Sequence, residues 1–352
     1  MPAQMKHTGN IFAEYPGAMN KYSIILPVRN GGEYVKDCVA SILAQTYTGF
    51  NLLVLDNCST DGTTEWLRSL TDLRIVLHRS DRSLTIEENW GRITTVPKNE
   101  FITLIGHDDL LEPDYLSVMN ALVSKHPDAS LWQSHFHFID SKGQPIRTCK
   151  PMKEVQSPAE FLQAMLDDRL DMMGTGFLMR SADYDAIGGI PNYPNLLFAD
   201  FEMVVNLARK AYFAVAPAYC FSFRLHQSTT AQSPDTRMQQ AFERLMYFLK
   251  DLREQDAALA RVIEGHVVHF ISVYGKGLSH RLLRTPVAGR GGLSVTGFLR
   301  NCRRYADMLS PGNKYRPTRQ PSVWLARALD STAVGRNLFL LFKKIYSKPV
   351  LK

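Results

Sequence analysis

Short apolar runs alternate with amphipathic stretches over the first two thirds of the chain. The runs are rich in Ile, Leu, Val and Phe, which is typical of strands buried on both faces of a parallel sheet. They predict strands at residues 22–28, 51–56, 73–77, 101–105, 131–139 and 174–179. Segments with helical spacing lie between them, and two open with a capping-box pattern, at Thr85 and Ser157. This alternation predicts an α/β fold with a doubly wound parallel sheet.

The pattern changes from Gln239 onward to long amphipathic helices, predicted at residues 241–252 and 257–283. Three regions follow from this change: a flexible leader over residues 1–20, an α/β domain over residues 21–234 and a helical region over residues 235–352. The leader has no sustained apolar core, so a secretory signal is not expected. No stretch of about 18 consecutive apolar residues occurs, so no transmembrane helix is expected either.

Charge divides the chain in the same way. Residues 1–234 carry 20 Lys and Arg against 26 Asp and Glu, a net charge of −6, and residues 235–352 carry 21 against 8, a net charge of +13. The basic excess lies wholly in the helical region, which argues for an anionic partner there. The five cysteines are far apart and form no CxxC pair, so we expect reduced thiols and a cytoplasmic protein.

Two adjacent acids, Asp108 and Asp109, follow the predicted strand at residues 101–105. Ligands of open α/β sheets bind at the carboxyl ends of the strands, so these acids would face the ligand crevice. Carboxylates in that position favour Mg²⁺ or Mn²⁺, which take oxygen ligands and bridge protein to phosphate. Since Glu112-Pro113-Asp114 comes next, the two acids could equally begin the next helix, and both interpretations stay open.

Asp56 ends the second predicted strand and is followed by the turn-forming sequence Asn57-Cys58-Ser59-Thr60-Asp61-Gly62. An acid at that strand end can accept hydrogen bonds from a nucleotide base or from ribose hydroxyls. The same acid can instead stabilise the turn through its own backbone, since Asp followed by Asn, Ser and Gly is favourable turn chemistry.

Four features occur in order: Pro27-Val28-Arg29-Asn30, the Asp56 turn, Asp108-Asp109 and an acidic helix start at Asp200. As a set they resemble the family 2 glycosyltransferases over roughly residues 20–232. The resemblance implies a GT-A fold, which is a Rossmann-like, mainly parallel sheet flanked by helices, here with a basic helical C-terminal extension. It also implies metal-dependent, inverting transfer of a sugar from a nucleoside-diphosphate sugar to a hydroxyl of a saccharide or lipid-linked saccharide, in bacterial surface polysaccharide synthesis.

The resemblance carries roles onto individual residues. Asp200 would be the catalytic base, and Asp108 and His226 would hold Mg²⁺ or Mn²⁺. Gly174, Thr175 and Gly176 would form the acceptor-side wall. The nucleotide-sugar donor would be bound by Pro27, Val28, Arg29, Asn30, Asp56, Arg82, Asp108 and Arg224.

Other interpretations of these residues remain open. Asp200 could be a helix N-cap, His226 could be structural, and the glycines could simply make turns. The family pattern also departs at two positions, because Gly106 and Ala199 replace acids that members usually carry. The loss at position 106 affects a contact normally made to sugar or ribose hydroxyls.

Two other function classes compete. A sugar nucleotidyltransferase would need a Gly-rich loop with Lys or Arg after the first strand, and Arg29-Asn30-Gly31-Gly32 is a poor version of it. A non-catalytic nucleotide-sugar binding module would fit the loss of acids at Gly106 and Ala199. Nucleic acid is not an expected partner, since the half that carries the motifs is acidic.

The C-terminal segments 324–329 and 338–344 combine bulky apolar residues with Lys and Arg. This is the composition of a helix lying on an anionic bilayer, and it suits a lipid-linked acceptor at the inner face of the cytoplasmic membrane. A packed helical region whose basic residues are simply solvated is the alternative.

Overall fold

The protein is described here by a computed structural model that covers residues 20–226 and 233–346. The leader predicted over residues 1–20 lies outside the described residues apart from Asn20, as do residues 347–352 at the end of the predicted helical region.

Ten strands form one mixed sheet in the described part of the chain, in the order β3-β2-β1-β4-β9-β6-β10-β5, with β7 beside β6 and β8 beside β10. The strands are β1 Tyr22–Val28, β2 Phe50–Asp56, β3 Ile75–Leu77, β4 Phe101–Leu104, β5 Leu110–Leu111, β6 Leu131–Ile139, β7 Pro145–Thr148, β8 Val155–Gln156, β9 Phe177–Arg180 and β10 Phe213–Arg224.

The amino-terminal half of the sheet is parallel, as the strand–helix alternation predicts. β1 pairs in parallel with β2 and β4, and β2 pairs in parallel with β3. The register places Val28 beside Asp56, so the loops after β1 and β2 leave the sheet at the same edge. The acids after β4 leave at that edge too, because β4 runs in the same direction.

The other half of the sheet departs from a purely parallel arrangement. β9 lies between β4 and β6 and is antiparallel to both, whereas β6 and β10 are parallel to each other. The strand predicted at residues 174–179 is observed three residues later, at Phe177–Arg180. Gly176, just before this strand, has a positive φ of 79°, which is not a strand conformation.

Twelve α-helices flank the sheet within the described residues. They are α1 Gly32–Leu43, α2 Thr63–Ser69, α3 Ile86–Gly91, α4 Tyr115–Lys125, α5 Pro158–Leu166, α6 Ser181–Ala186, α7 Ala199–Ala208, α8 Asp235–Gln255, α9 Ala257–Arg284, α10 Val295–Leu309, α11 Pro321–Asp330 and α12 Ala333–Ile345. Both predicted capping boxes are confirmed, at the starts of α3 and α5.

The core divides into two clusters because strand side chains alternate between the faces of the sheet. In β1, Ile25 belongs to one cluster, and Ile24 and Leu26 belong to the other. The Ile25 cluster continues without a break into the C-terminal helices, through residues such as Phe242 of α8 and Phe270 of α9. These helices therefore pack on the α/β part through a shared core.

None of the described helices is long and apolar enough to cross a membrane.

Candidate active site

The loops after β1 and β2 are joined to each other at the carboxyl edge of the sheet. The Asn30 backbone N–H donates to Ser59 Oγ at 2.9 Å, and the Thr60 N–H donates to Asn30 Oδ1 at 2.8 Å. Asn30 has a positive φ of 53°, which Asn tolerates better than most residues. Pro27 and Val28 lie buried in β1, whereas Arg29 is exposed beyond it. The result is a fixed double loop above the ends of β1 and β2.

Asp56 lies fully buried under this double loop. Thr64 Oγ1 donates to Asp56 Oδ2 at 2.7 Å, and the Ser59 N–H donates to Oδ1 at 3.3 Å. Arg79 Nε lies 3.5 Å from Oδ2, and the Arg79 side chain is partly exposed. Asp56 therefore orders the turn after β2, as its turn-acid interpretation expects. Its predicted contact with the nucleotide stays a prediction, and Arg79 becomes an additional candidate that the sequence analysis missed.

Asp108 and His226 are brought together although they lie 118 positions apart in the chain. His226 Nε2 contacts Asp108 Oδ2 within hydrogen-bonding distance, and both side chains are one-fifth exposed. Burial acts to raise the pKa of Asp108, but the hydrogen bond from His226 and the neighbouring imidazoles hold this pKa below its ordinary value. The Tyr34 ring of α1 lies 5.3 Å from the His226 ring. The pair faces outward at the ligand edge of the sheet.

Asp109 is buried and connects three strand ends. Thr175 Oγ1 donates to Asp109 Oδ2 at 2.9 Å, and the Arg224 backbone N–H donates to Oδ1 at 3.1 Å. These bonds link the loop after β4 to the start of β9 and to the end of β10. Burial and the charge of Asp108 raise the pKa of Asp109 well above its usual range. Asp109 therefore positions the loop that carries Asp108, a role that its sequence position alone does not reveal.

Arg224 is also buried, beneath the same loop. Its Nε donates to the Asp108 backbone carbonyl at 2.7 Å, and its guanidinium lies 4.7 Å from the Tyr34 ring centroid. A further nitrogen, Nη1, donates to the carbonyls of Asp140 and Ser141, each at 3.3 Å. In this arrangement Arg224 holds the Asp108 backbone in place. Its predicted contact with the leaving group stays a prediction.

Gly106, where the family usually has an acid, lies against the remaining carboxylates. A Cβ atom at this position would lie 2.7 Å from Asp108 Oδ1 and 3.0 Å from Asp109 Oδ2. The Cys38 thiol of α1 donates to the Gly106 carbonyl at 3.4 Å. The glycine thus lets both acids pack close to the strand end, and an acid at this position would have to move them.

Asp200 is the second residue of α7. The N-cap of α7 is Phe198, which has a positive φ of 64°, so the N-cap interpretation of Asp200 is wrong. The carboxylate accepts one hydrogen bond at Oδ1, from the Phe201 backbone N–H at 2.9 Å. Burial raises the pKa of Asp200, and the backbone hydrogen bond offsets only part of this shift.

The segment Gly174-Thr175 connects Asp200 to the paired acids. A Cβ atom at Gly174 would lie 3.3 Å from the Asp200 Cβ, so only a glycine lets the backbone come this close without a shift. The next residue, Thr175, bonds Asp109. A Cβ atom at Gly176 would lie 2.7 Å from the Phe221 ring. The predicted acceptor-side wall therefore lies between Asp200 and the loop that carries Asp108.

A cavity of about 180 Å³ opens beside Asp200. Side chains from α5, α7 and α9 contribute to its wall, among them Met165, Phe201, Phe270 and Tyr274. The long helix α9 therefore contributes directly to the surroundings of Asp200.

Arg82 is placed away from this centre. Its guanidinium is exposed and pairs with Glu88 at 3.0 Å. Its backbone carbonyl accepts a hydrogen bond from Ser80, whose N–H donates in turn to the Asp56 carbonyl. Arg82 thus lies on a loop attached to the Asp56 turn, at the outer rim of the edge where β1 and β2 end.

No group of three or more His, Cys, Asp or Glu suited to hold a metal ion occurs within residues 20–226 and 233–346. Asp108 and His226 offer two donors. Mg²⁺ commonly keeps several waters and is held by one or two carboxylates together with substrate phosphates. This pair therefore fits an ion shared with a diphosphate and does not fit an ion held by protein alone.

The chain is similar in sequence and in fold to known glycosyltransferases. The model of the family "Glycosyl transferase family 2" matches residues 23–188. Glycosyltransferase GlyG of Streptococcus pneumoniae is 27% identical over 34% of this chain and 41% of its own length. An uncharacterized glycosyltransferase of Rickettsia typhi, RT0329, is 24% identical over 71% of this chain and 77% of its own length. The chain thus spans well under half the length of GlyG.

The fold has a solved counterpart in the crystal structure of S. aureus TarS 1-349 in complex with UDP-GlcNAc. The two structures have a TM-score of 0.56 at 12% identity, and the similarity covers 84% of this chain and 93% of that one. This likeness shows a shared GT-A architecture. Residues 23–188, just under half of the chain, are therefore similar to glycosyl transferase family 2.

Proposed function

We propose that this protein transfers a sugar from a nucleoside-diphosphate sugar to an acceptor hydroxyl, with inversion at the anomeric carbon. One observation carries the proposal: the short segment Gly174-Thr175 runs between Asp200 and the loop that carries Asp108, the partner of His226. A Cβ atom at Gly174 would lie 3.3 Å from the Asp200 Cβ, and Thr175 bonds Asp109, the neighbour of Asp108. A base and a diphosphate-binding pair held in this way can reach opposite faces of one bound sugar.

The donor nucleotide would bind where β1 and β2 end. The loop joined through Asn30 and Ser59 supplies backbone there, and Arg79 supplies a partly exposed cation above Asp56. The GT-A neighbour TarS binds UDP-GlcNAc, which supports a nucleotide sugar as the donor class and leaves base and sugar open.

Asp108 and His226 would hold Mg²⁺ or Mn²⁺ together with the diphosphate. When bound, such an ion supplies positive charge next to the departing phosphate oxygen. Arg224 fixes the Asp108 backbone through its Nε, and Asp109 fixes the same loop by accepting hydrogen bonds from the Arg224 N–H and the Thr175 hydroxyl. These two buried residues would keep the Asp108 carboxylate in place while charge develops on the leaving group.

Asp200 would act as general base. It takes the proton from the acceptor hydroxyl as the oxygen attacks the anomeric carbon, and the bond to the diphosphate breaks with its electron pair on the phosphate oxygen. The raised pKa of Asp200 suits this role, because a base whose pKa lies closer to neutral holds the abstracted proton more firmly.

The acceptor would be a saccharide or lipid-linked saccharide in surface polysaccharide synthesis. The cavity beside Asp200 has polar and apolar lining in similar amounts, which suits an acceptor with both hydroxyl groups and an apolar part. The five cysteines are all free thiols, which supports a reducing compartment such as the cytoplasm.

The test is turnover of a panel of UDP-, GDP- and dTDP-sugars by the full chain and by Asp200→Asn. The substitution should lower turnover by about 10²–10⁴-fold and leave donor affinity unchanged, because it removes only the base. Glu65→Gln, at an exposed acid in the first turn of α2, is the matched control. Near-normal turnover by Asp200→Asn rules out the base assignment. Donor binding without any turnover identifies a non-catalytic binding module instead.

A further inference from the structure

An unpartnered apolar stripe runs along α12. Val334, Leu338, Leu341 and Ile345 are spaced so that they share one face of the helix, and each of these side chains is at least half exposed. No residue of α12 is buried. Trp324 and Leu325 of α11 are likewise more than half and half exposed, so apolar exposure is concentrated on these last two helices.

The charge around the stripe has one sign. Residues 308–346 contain seven Lys and Arg but one acid, Asp330. Asp330 is buried and neutralised by Arg290, whose Nη1 lies 2.5 Å from Asp330 Oδ1. The surface of this segment therefore presents only positive charge, including Lys343 and Lys344 beside the stripe.

A groove of about 590 Å³ lies between α9, α11 and α12. Its apolar lining includes Leu283, Leu325, Leu329, Leu338 and Phe342, and its cationic lining comes from Arg284 and Lys343. An amphipathic molecule with an apolar chain and an anionic group matches this combination.

We propose that α11, α12 and this groove form a docking surface for an anionic lipid bilayer. The apolar stripe enters the boundary between headgroups and acyl chains, and the lysines contact lipid phosphates. A second copy of the chain fits less well, because it would bring the same positive charge against this surface.

α9 connects the docking surface to the cavity beside Asp200. Val273 lines that cavity and Arg284 lines the groove, and the 11 residue-to-residue steps from one to the other span about 16 Å of helix. Val273, Gly277, His280 and Arg284 recur on one helix face, and a Cβ at Gly277 would meet nothing. This open strip fits an acceptor carried by a membrane lipid, a part of the inference that rests on the proposed function.

The test is flotation of the full chain with vesicles of phosphatidylcholine, with and without phosphatidylglycerol. The wild type should float with the anionic vesicles, and salt should weaken its binding. Lys343→Gln/Lys344→Gln should weaken binding about 25-fold, which is about fivefold for each lysine removed. Leu341→Ser/Ile345→Ser should weaken binding about tenfold or more. All four positions are at least partly exposed, so the variants should stay folded.

Leu73→Ser and Lys142→Gln, at exposed positions far from α12 in the chain, are the matched controls and should float like the wild type. Equal binding to neutral vesicles, or no flotation at all, overturns the proposal. So does a vesicle-free dimer, detected by sedimentation, that Leu341→Ser/Ile345→Ser converts to a monomer. Nucleotide-sugar binding is measured in parallel without vesicles. Its failure in a wild type that floats would contradict the proposed function and leave the docking surface standing.

Discussion

Asp108 and Asp109 are adjacent in the chain and have opposite surroundings. Asp108 reaches an outward-facing site and contacts His226. Asp109 is buried and bonded by Thr175 and by the Arg224 backbone. One acid is therefore available to a ligand, and the other holds the loop that presents it. The difference arises from β9 and β10, which meet Asp109 from far along the chain.

Thr175→Val tests the role of Asp109. The change removes a hydrogen bond to a buried carboxylate, so the free energy of unfolding should fall by about 1.5–3 kcal/mol. Turnover should fall as well, because the Asp108 loop loses one of its fixed points. Urea unfolding measures the first effect. Thr46→Val, whose hydroxyl bonds are exposed, should change stability by less than about 0.5 kcal/mol. Equal stability of Thr175→Val and wild type would contradict the assignment.

Asp200 should lower the stability of the protein at neutral pH. Its pKa is raised in the folded state by burial, so its ionised form destabilises the fold at neutral pH. This penalty disappears as the pH falls through the folded pKa toward the ordinary Asp value of about 4. Asp200→Asn should therefore melt above the wild type at pH 7, and the difference should shrink in acid. Thermal unfolding at several pH values measures this, with Glu65→Gln as the reference. A variant that melts below the wild type throughout would argue against the burial effect.

Activity has the matching pH dependence. The wild-type transfer rate should fall as the pH decreases through the raised pKa of Asp200, because the protonated carboxyl cannot accept the acceptor proton.

At the scale of elements, helix starts could be predicted from the local sequence, whereas the pairing of the strands could not. The capping boxes at Thr85 and Ser157 start α3 and α5 as predicted, because each depends on four consecutive residues. The position of β9 between β4 and β6 depends on contacts between distant segments, which periodicity does not report. The helix start predicted at Asp200 lies one residue from the observed start of α7 at Ala199. The left-handed conformation of Phe198 just before it was not predicted, because the residue type does not suggest it.

Phe270→Ala tests how α9 supports the cavity beside Asp200. Phe270 is buried, with its ring centroid 5.7 Å from that of Phe201 and 4.5 Å from that of Tyr274. Its loss should lower the free energy of unfolding by about 3–5 kcal/mol. It should also raise the KM for the acceptor more than the KM for the donor, since the enlarged cavity lies beside Asp200. Phe342→Ala, at an exposed ring of α12, should leave the stability nearly unchanged. Unchanged stability of Phe270→Ala would contradict the packing described.

At the scale of the whole molecule, an acidic α/β part and a basic helical part share one core. The charge division and the helical C-terminal region could be predicted from the sequence, because each depends on many residues. The residues of the candidate site could be predicted only in part. Asp108, His226 and Asp200 could be named through the family pattern, and the structure brings the first two into contact. Arg79 and Tyr34 could not be named, because their roles depend on which loop or ring the fold places beside them.

The proposed nucleoside-diphosphate site depends on Asp108 and a divalent ion. Calorimetric titration of UDP, GDP and dTDP into the full chain, with Mn²⁺ and after chelation, tests it most directly. At least one nucleotide should bind in Mn²⁺, and both chelation and Asp108→Ala should weaken that binding by at least about tenfold. Asp128→Ala, at an exposed acid, should bind like the wild type. Binding that needs neither Mn²⁺ nor Asp108, or no binding of any of the three nucleotides, would contradict the account.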